Sequence, residues 1–237
     1  MKKVIFFDTE TTGKEADDTL CQIAYKTGDE IFCELYKPTK EIPPEASAVH
    51  HISNKMVADK LPLKESASYK IIKELFENEN SIVVAHNAKF DIGMLAKEDI
   101  VPKNVICTYR VANALDTHGK YKKYSLQYLR YALDFDIEAQ AHDALGDVMV
   151  LEMLFKRLFD AIKKDLGDDR AVLEKMIEIS SQPILIKEFG FGKHIGKKIS
   201  DVVQLDKGYL EWLLKSKLEN EQDDEDWVYT LNFYLNK

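Results

Sequence analysis

The chain has 237 residues and a formal net charge of −8, and 45% of its residues are hydrophobic. This length suits one large domain with or without a small appended unit, and the absence of a run of about 18 apolar residues excludes a membrane-spanning helix. Cys21, Cys33 and Cys107 lack metal-site spacing, which favours a reduced, cytoplasmic protein. The acidic balance argues weakly against a protein that holds long nucleic acid, but it is compatible with a local contact at a strand end.

The first 37 residues are typical of a sheet. "MKKVIFFDTE" ends in acids rather than small residues, so it predicts a strand and not a signal peptide. Three strands are predicted, and the turn "TGDE" between the second and third indicates an antiparallel hairpin. These strands cover residues 3–8, 19–26 and 30–37.

Helices and strands alternate farther along the chain. The apolar segment 81–86 is typical of a strand buried on both faces, and a helix follows it from residue 87. Apolar residues at helical spacing predict further helices over 64–78, 143–164 and 169–180, and residues 105–109 predict another strand. This order indicates an α/β domain with a mixed sheet, followed by a small C-terminal unit.

Two carboxylates end the first strand. Side chains alternate between the two faces of a strand, so Asp8 and Glu10 are expected on one face and Thr9 on the other. A strand that becomes polar as it leaves the core is the plainer interpretation of this pair alone. Crowded acids are costly unless a cation neutralises them.

The segment "VVAHNAKFD" adds a third carboxylate. The buried strand ends near His86, so Asp91 is expected in the first turns of the next helix, at the sheet edge where α/β folds bind ligands. Asp91 also suits the dipole of that helix without any further role. His86 and Asn87 are expected to brace and cap the helix, and Asn87 is also a candidate contact to substrate.

The segment "AHDALGDV" supplies His142 and Asp147. If His142 precedes the helix and Asp143 caps it, the side chains of His142 and Asp147 reach one pocket. Four carboxylates with few nitrogen or sulfur ligands suit Mg²⁺ or Mn²⁺. Two such ions about 3.5–4 Å apart would activate a water and stabilise the leaving oxygen of a phosphodiester. His142 would take the proton of that water, because its ordinary pKa is close to neutrality.

Together these motifs resemble a known family. "FFDTETTG", "HNAKFDIGML" and "HDALGD" are similar in order and spacing to the three motifs of the DEDDh exonuclease superfamily. The resemblance implies a ribonuclease H-like fold with a mixed five-stranded sheet, and release of nucleoside 5′-monophosphates from the 3′ end. It also implies that His142 is the general base and that two metal ions are held by Asp8, Glu10, Asp91 and Asp147.

A fourth segment carries candidate substrate contacts. Residues 46–62 resemble the family segment A-x-x-x-H-x-I, with His50 at the histidine position and His51 in place of a common glycine. The resemblance implies that Thr9 and His50 help to hold the 3′-terminal nucleotide. A loop histidine without a functional role is the alternative for His50.

The C-terminal part indicates the branch of the superfamily. Residues 189–214 resemble the C-terminal segment of the exonuclease X group, whereas in motif content the nearest relative is the proofreading ε subunit of DNA polymerase III. The turn "GFGKHIGKK" presents Lys193 and Lys197, which either bind phosphate or belong to a structural turn with solvated lysines. Tyr209 and Trp212 are expected in the core. We expect an exonuclease domain over 1–165, a linker helix over 166–182 and a C-terminal domain over 183–237.

The leading interpretation is a metal-dependent 3′→5′ exodeoxyribonuclease that acts on single-stranded or frayed DNA ends in repair or end trimming. An exoribonuclease is the second interpretation, since the hydrolytic residues are the same and contacts to the 2′-hydroxyl decide. Association with a polymerase as a proofreading subunit, or with a repair complex, is also left open. A non-catalytic binding module is disfavoured, because all four acids and His142 are present.

Overall fold

The computed structural model describes residues 2–137, 144–219 and 224–236, and the chain divides into two units, Met1–Ser180 and Ser181–Lys237. The sequence-based division at 165 and 183 stays a prediction. The helix Asp169–Ser180 belongs to the first unit, where Val172 and Met176 are buried. No helix of the described residues combines the length and apolar character needed to cross a membrane.

The first unit contains a mixed sheet of five strands. In space the strands are ordered β3-β2-β1-β4-β5. β1 pairs antiparallel with β2 and parallel with β4, while β2–β3 is antiparallel and β4–β5 parallel. The strands are β1 (Lys3–Thr11), β2 (Leu20–Thr27), β3 (Glu30–Leu35), β4 (Ser81–Ala85) and β5 (Val105–Cys107). This arrangement confirms the predicted hairpin and the predicted mixed sheet.

Eight α-helices are described in the first unit, together with a 3₁₀ turn at Leu63–Glu65. The helices are α1 (Pro44–His50), α2 (Asn54–Val57), α3 (Tyr69–Glu77), α4 (Ala88–Lys97), α5 (Thr108–Leu115), α6 (Leu126–Ala132), α7 (Ala144–Leu166) and α8 (Asp169–Ser180).

Two predicted segments differ from the structure. The predicted helix 64–78 is α-helical only from Tyr69, because the Ser66 hydroxyl donates to the carbonyl of Leu63 at 2.7 Å and so competes with the helical pattern. The predicted strand 105–109 ends at Cys107, and α5 begins at Thr108, whose hydroxyl lies 3.3 Å from the Ala85 carbonyl.

The two faces of β1 pack against different helices. Phe6 meets Phe155 of α7 edge to face, with ring centroids 5.1 Å apart, while Phe7 meets Phe76 of α3 at the same distance on the opposite face. Burying each such ring stabilises the fold by about 1.5–3 kcal/mol. Because side chains alternate along the strand, Asp8 and Glu10 continue the Phe6 face, and Thr9 continues the Phe7 face.

The second unit has a small apolar core of its own. Its helices are α9 (Ile199–Leu205), α10 (Lys207–Leu218) and α11 (Glu225–Leu235). The buried side chains of this core are Phe189, Ile199, Val202, Leu210, Leu213 and Leu231. Trp212 does not join them, since it is 60% exposed, and the expectation that it lies in the core is wrong. On α10 the buried positions 210 and 213 face the core, and Trp212 falls on the flank of that stripe.

Candidate active site

Three carboxylates meet at the end of β1. Asp8, Glu10 and Asp147 each offer one oxygen, and these oxygens all lie within 4.8 Å of one another. Asp8 and Glu10 are partly exposed, whereas Asp147 is buried. The first two come from the face of β1 that packs on α7, and the third comes from α7 itself.

The packing of α7 explains the position of Asp147. Asp147 lies in the first turn of this helix, directly before the buried Val148, and Leu151 one turn farther on is also buried. These apolar side chains fix the helix against β1, so the first turn is carried to the strand end. Gln127 of α6 donates its side-chain amide to Asp147 Oδ1. The sequence offered no signal for Gln127, because an isolated glutamine on a short helix matches no motif.

Asp91 lies in α4, on the other side of β1. The Thr9 hydroxyl donates to Asp91 Oδ1 at 2.7 Å, and both residues are buried. Burial raises the pKa of the Asp91 carboxyl, and the hydrogen bond from Thr9 opposes that shift. Asp91 is outside the 4.8 Å group, but it is tied to the residue that separates Asp8 from Glu10.

The residues that join β4 to α4 are held in a defined conformation. His86 Nε2 lies 2.6 Å from the Tyr124 carbonyl, and its Nδ1 lies 2.9 Å from the Thr108 hydroxyl. Nε2 therefore carries the proton, because a carbonyl only accepts. Burial lowers the pKa of His86 to about 4, so the ring is neutral at pH 7.

Asn87 adopts a left-handed backbone conformation with φ of 62°. Its side chain makes no capping hydrogen bond to α4 and is exposed. His86 therefore makes the bracing contacts that were expected of His86 and Asn87 together, while the side-chain amide of Asn87 faces solvent. A contact from Asn87 to substrate stays a prediction.

His50 braces the end of β1. The Ile52 N–H donates to His50 Nδ1 at 3.0 Å, so Nε2 carries the proton and donates to the Thr11 carbonyl at 3.2 Å. Burial lowers the pKa of this ring. Both nitrogens are thus engaged within the protein, and a contact of His50 to a nucleotide stays a prediction. His51 ends α1 with φ of 63°, a conformation that glycine adopts without strain.

The lysines predicted to bind phosphate lie in the second unit. Lys193 Nζ lies 2.8 Å from Asp206 Oδ2, and His194 Nε2 lies 2.9 Å from the same oxygen. Hydrogen bonds from Lys193 and His194 lower the pKa of Asp206 to about 2. Lys197 is exposed. Gly192 has a left-handed φ of 72°, and a β-carbon there would also lie 2.5 Å from the Tyr209 hydroxyl, so the turn favours glycine at this position.

The donor set fits hard divalent cations. Three carboxylate groups within 4.8 Å of one another offer oxygen ligands of the kind that Mg²⁺ and Mn²⁺ prefer. Nitrogen and sulfur ligands, which zinc and copper favour, are absent from this group of described residues. His142, the predicted general base, lies outside the described residues.

Comparisons with known proteins agree with this arrangement. The family described as "Exonuclease" matches residues 5–155, and the family "Exodeoxyribonuclease X-like C-terminal" matches residues 189–217. Exodeoxyribonuclease 10 of Escherichia coli K12 is 32% identical over 183 residues, which cover 77% of this chain and 76% of that protein. The DNA polymerase III subunit epsilon of Treponema pallidum is 32% identical over 175 residues, covering 68% of this chain and 78% of its own length.

Solved structures support the same assignment. Exonuclease X in complex with 5′ overhanging duplex DNA is 26% identical, with a TM-score of 0.56 over 75% of this chain and 99% of that one. Cell-death related nuclease 4 has a TM-score of 0.55 at 16% identity, which indicates a shared fold alone. These neighbours confirm the expected ribonuclease H-like fold. The exonuclease match covers more than half of the chain and contains every residue of the acidic cluster, so the chain belongs to the exonuclease family.

Proposed function

We propose that the chain is a metal-dependent 3′→5′ exonuclease that hydrolyses DNA to nucleoside 5′-monophosphates. The observation that carries this proposal is the group formed by Asp8, Glu10 and Asp147 at the end of β1, in a chain of the exonuclease family. The preference for DNA draws on the relatives, one named an exodeoxyribonuclease and one solved as a complex with duplex DNA.

The acids of the site have distinct positions in the proposed mechanism. Asp8, Glu10 and Asp147 would hold the divalent ions, and Asp91 of α4 would complete the set of ligands. Two ions of Mg²⁺ or Mn²⁺, when bound, supply positive charge that aligns the phosphodiester and polarises water. Thr9 orients the Asp91 carboxyl through its 2.7 Å hydrogen bond, which favours the ionised form against the opposing effect of burial on the pKa.

Proton transfer is the task proposed for His142. Water attacks the phosphorus of the terminal phosphodiester as His142 accepts its proton, and the bond from phosphorus to the preceding 3′-oxygen breaks. The terminal nucleotide leaves as a 5′-monophosphate, and the released 3′-oxygen takes a proton from solvent, so the shortened strand ends in a 3′-hydroxyl. A histidine suits this step because its ordinary pKa lies near neutrality.

The experiment that tests direction and substrate uses DNA and RNA strands of one sequence, labelled at the 5′ end. With Mg²⁺ or Mn²⁺ we expect a ladder that shortens from the 3′ end, faster on DNA than on RNA, and faster on a frayed duplex than on a blunt one. A labelled mononucleotide as the first product would indicate the opposite polarity and overturn the proposal. Faster degradation of RNA than of DNA would show that RNA is the preferred substrate, and the proposed hydrolytic site would be unaffected by that result.

A polymerase-associated role has one observation in its favour. The ε subunit of Treponema pallidum DNA polymerase III shares 32% identity with this chain over 175 residues. Residues 189–217, however, match the exonuclease X-like C-terminal family, which favours a relative of exonuclease X over a polymerase subunit. Co-purification of the full chain with its host polymerase would favour the proofreading role.

A further inference from the structure

The connection between α5 and α6 carries concentrated positive charge. Residues 116–125, "DTHGKYKKYS", are called the 116–125 loop. Lys120, Lys122 and Lys123 are exposed, in a chain whose formal net charge is −8. No carboxylate of the described residues forms an ion pair with these three lysines. Their charge is thus presented to solvent.

A buried carboxylate gives the loop its shape. Asp116, 8% exposed, accepts hydrogen bonds from the Lys120 and Tyr121 N–H groups at 2.8 and 2.9 Å, and from the Tyr124 hydroxyl at 2.8 Å. Gly119, with φ of 66°, allows the tight return of the chain. The loop's acid is therefore directed inward onto its own backbone, and the lysine side chains are left on the outside.

Residues at the C-terminal end of the loop, and directly after it, form hydrogen bonds with residues of the candidate active site. The Tyr124 carbonyl accepts a 2.6 Å hydrogen bond from His86, the residue before Asn87. Three residues after Tyr124, Gln127 donates to Asp147 of the acidic cluster. Because a chain spans at most about 3.6 Å per residue, the Cα atom of Lys123 lies within about 14 Å of that of Gln127. The C-terminal end of the loop therefore lies close to the acidic cluster, since about 14 Å corresponds to about four nucleotides of stacked strand.

The negative charge of the acidic cluster and the positive charge of the 116–125 loop have opposite effects on a nucleic-acid strand. Before cations bind, the acids Asp8, Glu10 and Asp147 repel a polyanionic strand, and a Debye length of about 8 Å lets that repulsion reach the approach to the site. The exposed lysines of the loop offset this repulsion and attract phosphates. Tyr121, partly exposed and with Lys120 Nζ 5.2 Å from its ring centroid, adds an aromatic face on which a base can stack.

We propose that the 116–125 loop binds the backbone phosphates of the substrate strand, within about four nucleotides on the 5′ side of the scissile bond. This inference rests on the proposed function, because it places the loop on the path of a strand whose 3′ end is at the acidic cluster. The occupant is a nucleic-acid strand; an acidic protein segment is the rival that the test below distinguishes.

The test compares two triple variants with equal loss of charge. K120Q/K122Q/K123Q neutralises the loop. The matched control is K2Q/K3Q/K103Q, at the amino ends of β1 and β5 and thus at the sheet edge opposite the site. Each variant is assayed on a thymidine oligonucleotide and on thymidine 5′-monophosphate p-nitrophenyl ester, which has no strand upstream of the reacting phosphate. Strand binding is also measured by fluorescence anisotropy in EDTA.

For the loop variant we expect the KM for the oligonucleotide and the Kd for the strand to rise about tenfold at moderate salt. The slope of log K against log salt should fall by about 2, as loss of three phosphate contacts on a single strand predicts. Its kcat and its hydrolysis of the small ester should equal those of the wild type, and the control should match the wild type throughout.

Two results would overturn the inference. If the loop variant keeps the strand affinity and salt slope of the wild type, the loop does not bind nucleic acid, and its lysines would serve a different partner. Equal loss of oligonucleotide and ester hydrolysis would mean that the loop maintains the site rather than binding the strand. Failure of the wild type on both substrates would instead contradict the proposed function, and the anisotropy arm would still decide the binding role of the loop.

Discussion

Replacing Asp147 by asparagine tests whether the acidic cluster is built for a cation. Asp147→Asn removes one of three charges and keeps the shape of the side chain, including an oxygen that accepts from Gln127. If the cluster is electrostatically costly without metal, the metal-free variant should be more stable than the wild type.

The expected magnitude follows from the separation of the carboxylates. At 4.8 Å, two unit charges repel by about 0.9 kcal/mol in water and about 3.5 kcal/mol at an effective dielectric constant of 20. Asp8 and Glu10 are partly exposed, so we take the lower part of this range for the two pairs that Asp147 makes. The predicted gain is about 2 kcal/mol, or about 4–8 °C in the melting temperature of a unit of this size.

The assay is thermal unfolding in EDTA and in a series of Mn²⁺ concentrations. Mn²⁺ at about 100 times its Kd should stabilise the wild type by about 2.7 kcal/mol, and it should stabilise Asp147→Asn far less. Asp160→Asn is the matched control, since Asp160 is exposed on the same helix and about 20 Å along its axis. Its stability should stay within about 0.5 kcal/mol of the wild type under both conditions. A lower melting temperature for Asp147→Asn in EDTA, or equal stabilisation of both proteins by Mn²⁺, would refute the reasoning.

Three further predictions concern the residues around the cluster. The pKa of His86 is lowered to about 4, so the unfolded chain binds the additional proton below pH 6.5; stability should fall by up to about 3 kcal/mol as the pH drops from 6.5 to 4. His86→Gln should flatten that part of the pH dependence in urea unfolding, and an unchanged slope would contradict it. Thr9→Val should cost about 1–3 kcal/mol by removing the donor to buried Asp91, while Thr9→Ser should retain most of the stability; equal losses in the two variants would exclude a role for the hydroxyl. His51→Gly should raise the melting temperature slightly, because the left-handed conformation costs a residue with a β-carbon about 1–2 kcal/mol, part of which the flexibility of glycine in the unfolded chain offsets. A destabilised His51→Gly would show instead that the histidine side chain makes contacts that outweigh this strain.

The position of each strand acid could be predicted from local rules. Strand alternation places Asp8 and Glu10 on one face and Thr9 on the other, and the structure has this arrangement. Asp91 falls in the first turn of α4, as predicted from the end of a buried strand. These predictions succeeded because they depend on periodicity and on helix start signals, which a single sequence carries.

Contacts between elements could not be predicted in the same way. The sequence motifs predict the same role for all four acids. In the structure, Asp147 lies with Asp8 and Glu10, whereas Asp91 accepts a hydrogen bond from Thr9 on the opposite face of β1. This difference arises from which helix packs on which face of the sheet, and that is a property of the whole fold.

Two side chains illustrate the same limit. Gln127 is near Asp147 only because α6 and α7 are neighbours in space. Trp212 was expected in the core from its hydrophobicity, but the register of α10 leaves it exposed. Hydrophobicity alone does not tell which side of a short helix faces a small core.

The measurement that tests the central claim most directly is the first product released from a DNA strand labelled at its 3′-terminal nucleotide. With Mn²⁺, the wild type should release the labelled nucleoside 5′-monophosphate at once, while EDTA or the change Asp8→Ala should abolish release. Asp160→Ala should release the same product at the wild-type rate, since Asp160 is exposed and distant from the cluster. Release of the same product in EDTA, or by Asp8→Ala, would contradict a hydrolytic site built on Asp8, Glu10 and Asp147.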